Sequence, residues 1–155
     1  MPSQSFLQAL LDRDYPAQAT GLLRPLLELL TLGRAACGGD LDKLIILLAI
    51  AIRTTEHKDF QALTQQQLLS GEVPVFPTLG INIQSVADSI GAPKETVRRK
   101  VTELVGLGWI DRQGGDLRFT ARGYRDLAPV RERIETMAVE HYALLRQIVP
   151  GPAEG

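Results

Sequence analysis

One cysteine in 155 residues rules out an intramolecular disulfide, and the two histidines, His57 and His141, stand far apart in the chain. No Cys/His spacing of the kind that holds zinc, no phosphate-cradling glycine loop and no nucleophile beside a base can be found. The sequence therefore offers no catalytic residues, no metal site and no cofactor motif, and an enzyme is not expected. Long apolar runs are missing too, since the longest, residues 44–52, is too short to span a bilayer. No basic-then-apolar leader opens the chain, so a cytoplasmic protein with no membrane partner is expected. Charge of one sign is also lacking: 17 basic against 18 acidic residues leave a net −1, which argues against nonspecific coating of nucleic acid. Repeats and low-complexity tracts are absent. What remains is the composition of one ordinary compact domain, 45% hydrophobic and 23% charged.

Against that background, residues 83–123 stand out. Ile83, Val86, Ala87 and Ile90 fall at i, i+3, i+4 and i+7, the stripe of one buried helical face. Gly91 ends that helix by supplying the left-handed backbone of a sharp turn. A second helix is expected over residues 93–107, with Ala92 as a poor N-cap, Pro93 at the first helical position and Glu95 reaching back as half of a capping box. Its buried stripe is Val97, Val101, Leu104 and Val105. The opposite face carries Glu95, Thr96, Arg99, Thr102 and Glu103, flanked by Lys94, Arg98 and Lys100. A face rich in Arg, Lys and Thr can meet base edges and phosphates together.

After Gly108 the period changes to two. WIDRQ, Gly114-Gly115 and DLRFT read as a β-hairpin, with Ile110, Leu117 and Phe119 inward and Arg112 and Arg118 on the polar side. Trp109 reads as a core anchor, and Thr120 is placed to cap the next helix. Residues 91–125 carry eight basic against four acidic side chains, a surplus of +4 within a chain of net −1. The basic charge is concentrated on this one unit.

GAPKETVRRKVTELVGLGWIDR followed by GG and FTARG resembles the winged-helix bacterial transcriptional regulators. In overall plan the chain is similar to the MarR-like group, small dimers with helices on both sides of the DNA-binding unit; the likeness is strong over about 40 residues. The resemblance implies a mainly α fold with a small β-hairpin, a winged helix-turn-helix with N- and C-terminal helical dimerisation arms. It makes residues 93–107 a recognition helix and 109–120 a wing. The DNA-binding residues are then Lys94, Glu95, Thr96, Arg98, Arg99, Lys100, Thr102, Arg112 and Arg118.

The arms are read from periodicity. Residues 1–80 form an N-terminal helical region for core and dimer contacts, residues 81–123 the DNA-binding unit and residues 124–150 a C-terminal dimerisation helix, all within one compact domain. SQSFLQALLDRD is amphipathic, and GLLRPLLELL is leucine-rich, with Pro25 opening or kinking its helix. Asp40 caps a helix that is apolar all round over residues 44–52 and so expected to be buried on every side. GEVPVFPTLG is a connector rather than a regular element. Leu127, Val130, Ile134, Met137, His141, Leu144 and Ile148 alternate by 3 and 4 residues, an a/d seam for which a second chain is the favoured partner.

The residues left over have plain readings. Cys37 is a small apolar residue, with only Arg34 near it to lower its pKa. Asp12/Asp14 and Asp40/Asp42 are helix-end charges. Partners follow as double-stranded DNA and a second copy of the chain; the helix over 44–52, next to the connector at 71–80, reads either as plain packed core or as lining a small apolar effector pocket between the DNA-binding unit and the dimer arms. The competing reading is a winged-helix protein-protein interaction module without specific DNA binding.

Overall fold

The computed structural model describes residues 1–151 as a mainly helical chain with one two-stranded antiparallel hairpin. In order the elements are α1 (Gln4–Ala36), α2 (Leu41–Thr55), α3 (Lys58–Gln61), α4 (Gln65–Ser70), α5 (Ile83–Ile90), α6 (Lys94–Gly106), β1 (Ile110–Gln113), β2 (Asp116–Phe119), α7 (Ala121–Asp126) and α8 (Ala128–Ile148). They form two compact units, Gly33–Ala128 and, separately, Met1–Leu32 with the described residues from Pro129 on. Residues 33–80 thus group with the hairpin region rather than with the start of the chain, because α2 packs on α5, α6 and β2.

Within Gly33–Ala128 the core is assembled around α2. Leu44, Ile46, Leu47 and Ile50 are buried on one side of it, while Ile45, Leu48 and Ile52 are 37–53% exposed. The expectation of burial on every side is corrected: a 15-residue helix resting on one layer covers only the stripe turned toward that layer. Asp40 caps α2 as expected, accepting the Lys43 N–H. Cys37 is buried beside the cap, and burial pushes its thiol pKa up, away from thiolate chemistry.

The connector at 71–80 contains no regular strand, yet it is bonded into the hairpin. Val75 bridges Thr120, the Phe76 N–H donates to the Phe119 carbonyl, and the Leu117 N–H donates to the Ile81 carbonyl. Phe76 is wholly buried against the rings of Phe60, Phe119 and Tyr124. These four rings pack together on the connector's inner side.

In the other unit, α1 is one continuous helix that runs through both Pro16 and Pro25. Pro25 neither opens nor ends it, since its ring is buried and packing outweighs the lost i→i−4 hydrogen bond. The partner in this packing is α8, antiparallel to α1. A Cβ added to Gly21 would lie 2.7 Å from Leu144, His141 Nε2 donates to the Leu22 carbonyl at 3.3 Å, and Arg133 pairs with Glu28 at 3.0 Å. No helix among the described residues is long and apolar enough to cross a membrane.

Candidate nucleic-acid interface

The interface is built from α5, the turn after it, α6 and the hairpin. Asn82 starts α5 by accepting the Ser85 N–H at 2.8 Å, and Ile83, Val86 and Ala87 bury its inner face. Gly91 takes φ 67° and directs the Ala92 N–H back to the Ala87 carbonyl. The next helix begins one residue later than the sequence suggests: Pro93, not Ala92, is its N-cap, and no side chain caps it. Glu95 completes no capping box, because its carboxylate is turned to Arg98 Nε at 3.3 Å.

The two sides of α6 differ sharply. Val97, Val101 and Leu104 are fully buried. On the open side lie Lys94, Glu95, Arg99 and Thr102, with Arg98 half-buried beside them; Arg98 and Arg99 leave 42% and 67% of their side chains in solvent. Thr102 donates its hydroxyl to the Arg98 carbonyl, so it has a free lone pair but no free proton to offer outward. Thr96 is half-buried on the flank.

Lys100 corrects the sequence reading. It is 8% exposed, and its Nζ donates to both carboxylate oxygens of Asp40 at 2.8 Å and to Asp42 at 3.2 Å. It cannot serve as a DNA-facing cation while those bonds hold. The reason is positional: Lys100 is three residues after Val97 and four before Leu104, on the buried side of a 3.6-residue helix. One turn on, Glu103 meets Lys43 at 2.5 Å, so two ties join the same flank of α6 to the start of α2. The hydrogen bond from Lys100 holds the Asp40 carboxyl below its ordinary range, and the same contact raises Lys100. Sequence reasoning missed Asp40, Asp42 and Lys43 because their partners are about 60 residues away. The one available signal was a lysine in a buried register.

The hairpin register is Ile110↔Phe119, Asp111↔Arg118, Arg112↔Leu117 and Gln113↔Asp116, closed by Gly114 at φ 59° and Gly115. Opposed residues share a face and faces alternate, so Arg112 lies on the side of Ile110, Leu117 and Phe119, and Arg118 on the other with Asp111. The expectation that both arginines share one polar side is corrected: Arg112 is two residues from Ile110 and so has its face, whereas Arg118 lies between the inward Leu117 and Phe119. Arg112 is exposed near the tip, where the inner face runs out of core to cover it. Arg118 is half-buried, with its Nε enclosed and lacking a hydrogen-bond partner, as does Asp111 Oδ2. Trp109 anchors the junction: it is 8% exposed and donates Nε1–H to Asp126 at 2.9 Å. Thr120 caps α7 through the Gly123 N–H and donates its hydroxyl toward the Gly108 carbonyl at 2.6 Å.

The electrostatic surplus is smaller than the chain order implies. Counting Asp40, Asp42 and Lys43 with the residues they touch lowers the +4 of residues 91–125 to +3. Among the described basic residues of 91–125, Lys94, Arg112, Arg118 and Arg125 have no ion-pair partner, and Arg99 has only a 3.8 Å contact with the already engaged Glu103.

The expected dimer seam also divides. Leu127 ends α7 and is buried within Gly33–Ala128, so it is not part of α8. Val130 and Leu144 are buried; Met137, His141 and Ile148 are half-buried; Ile134 is 37% exposed. His141 and Leu144 meet Leu22 and Gly21 of their own chain, and this corrects the preference for a second chain along the seam. A 3.5-residue period reports a helical partner but not whose helix it is.

No family model, no curated protein and no solved structure matches this chain.

Proposed function

We propose that this chain is a sequence-specific double-stranded-DNA-binding transcriptional regulator, a homodimeric repressor that acts by occupying its site. In this reading α5, Gly91 and α6 are a helix-turn-helix of the bacterial, MarR-like winged type, and the β1–β2 hairpin is its wing. The observation that carries it is the two-sidedness of α6. Three fully buried residues and two ion-pair ties hold one side, while Lys94, Arg98, Arg99 and Thr102 stand together on the other.

A major groove about 12 Å wide admits one helix, and arginine there can bond two acceptors of a guanine at once. Arg112 near the hairpin tip supports a backbone or minor-groove contact, where the potential is most negative. Two copies place two such helices on half-sites one turn of DNA apart, about 34–36 Å.

Selection from a random duplex pool at physiological salt tests the proposal. The expected product is an inverted repeat with half-site centres one helical turn apart, bound with an affinity that falls steeply with added salt. Recovery of no sequence preference, with no salt dependence, overturns it.

A further inference from the structure

We infer that Glu95 and Arg98 act as one unit that reads a single G·C base pair, an inference that rests on the DNA-binding reading above and names a base pair the helix selects. Helix α6 has two acidic residues, Glu95 and Glu103. Glu103 is engaged with Lys43 of α2 on the flank of the helix. Glu95 stands apart. It lies in the first turn with 81% of its side chain exposed, and its Oε1 accepts from Arg98 Nε at 3.3 Å.

A carboxylate is out of place on a face that meets only phosphates. It repels the backbone, and it holds Arg98, one of the basic residues of that face, to itself. Stability does not account for it, since an ion pair this exposed contributes little and Glu95 closes no capping box. Its effect on the helix dipole is the modest one that any acidic residue in a first turn has. The chemistry left is that of an acceptor: in the major groove a carboxylate takes the N4 amino hydrogens of cytosine.

The bond between the two side chains orders them into a pattern. Residues three apart share a helical face, and these two lie in the first turns of α6, the part of a recognition helix that reaches base edges. With Nε engaged by Oε1, Arg98 keeps the donors of its two terminal nitrogens and Glu95 keeps Oε2. The unit offers two donors and then an acceptor. A G·C pair offers the complement, with guanine N7 and O6 accepting and cytosine N4 donating. An A·T pair shows acceptor, donor, acceptor instead, which sets an arginine N–H against an amino group and the carboxylate against thymine O4. Turned round, a C·G pair sets the carboxylate against two acceptors. The unit therefore specifies both the pair and its direction. Arg98 also starts from a held rotamer, so docking costs it less freedom than it costs a lone arginine.

Selection from a random duplex pool at physiological salt tests this with wild type, Glu95→Ala and Arg98→Ala, each checked for folding by circular dichroism. The wild-type consensus is expected to hold a G·C pair in each half-site at which both variants lose preference. Replacing that pair by A·T should cost wild type about tenfold to a hundredfold in affinity. In either variant the penalty should be at least about threefold smaller, as for two residues that work together. Should an alanine variant unfold, Glu95→Gln and Arg98→Lys carry the same comparison, because they remove the charge or the fork and keep most of the side chain. Unchanged preference in the Glu95 variant, or loss of preference at two different base pairs, overturns the unit while leaving the DNA-binding reading standing. A wild type that selects no sequence overturns both.

Discussion

Lys100 and Asp40, sixty residues apart, form a two-pronged contact in which one ammonium lies 2.8 Å from both oxygens of one carboxylate. Asp40 simultaneously caps α2, and Asp42 adds a third bond to the same ammonium. The flank of α6 is thereby tied to the first turn of α2. Apolar packing alone lets a helix roll by several degrees at little cost, whereas directional hydrogen bonds do not. Lys100→Met should therefore lower stability by about 1–2 kcal/mol, the moderate figure reflecting partly exposed carboxylates. It should also reduce discrimination between operator and random DNA more than it reduces binding to random DNA. Urea denaturation and paired titrations check both; Lys100→Arg should recover part of the loss.

The same contact has a pH signature. Asp40 is lowered in the folded chain, so its contribution is present above the unfolded carboxyl pKa near 4 and is lost as pH falls below it. Lys100 is raised, so its contribution is present below the unfolded ammonium pKa near 10.4 and is lost as pH rises above it. The contribution of this contact, read as the stability difference between wild type and Lys100→Met, should be level between those limits and shrink outside them. Asp40→Asn should flatten the acid limb, and an unchanged limb would remove Asp40 from the account.

The two hairpin arginines should behave differently. Arg112→Ala should weaken binding to all sequences alike and lower the salt slope by about one unit, one lost phosphate contact. Arg118→Ala, whose Nε is already enclosed, should leave the slope nearly unchanged. Equal slopes for both variants would return the arginines to one shared face and contradict the register.

Arg99→Ala should cost about 1–3 kcal/mol at one base position and relax preference there, provided Arg99 grips a guanine with both nitrogens. Its side chain is the more exposed of the two neighbouring arginines on α6. Selection with the variant protein reads this out as one degenerate position per half-site, and an unaltered consensus removes Arg99 as a base reader.

Phe76→Ala should destabilise the Gly33–Ala128 unit by about 3–5 kcal/mol, the range for emptying a large aromatic site. The ring is wholly buried among three other rings. Thermal unfolding followed by circular dichroism measures it, and a loss under about 1 kcal/mol would mean that the site collapses on itself.

What the sequence alone determined is local in origin. The α5 stripe, the left-handed Gly91, the buried stripe of α6, the two-glycine hairpin and the Asp40 cap all follow from side-chain spacing within a few residues, and each is where the pattern puts it, except that Ile90 and Val105 at the stripes' ends are only half-buried. Tertiary structure decided the rest. The carboxylates that claim Lys100 lie about 60 residues from it, and no local window contains both partners. Phe76 sits in a proline-flanked connector without periodicity, so only the backbone bonds to β2 and the neighbouring rings reveal it as core. Helix α1 continues through Pro25 because packing of its buried ring offsets the lost backbone bond, a contribution from outside the segment itself. The a/d spacing of α8 specified that a helix would cover it, but a period carries no record of chain identity. That identity came from Gly21, where the missing side chain makes room for Leu144 of the same chain.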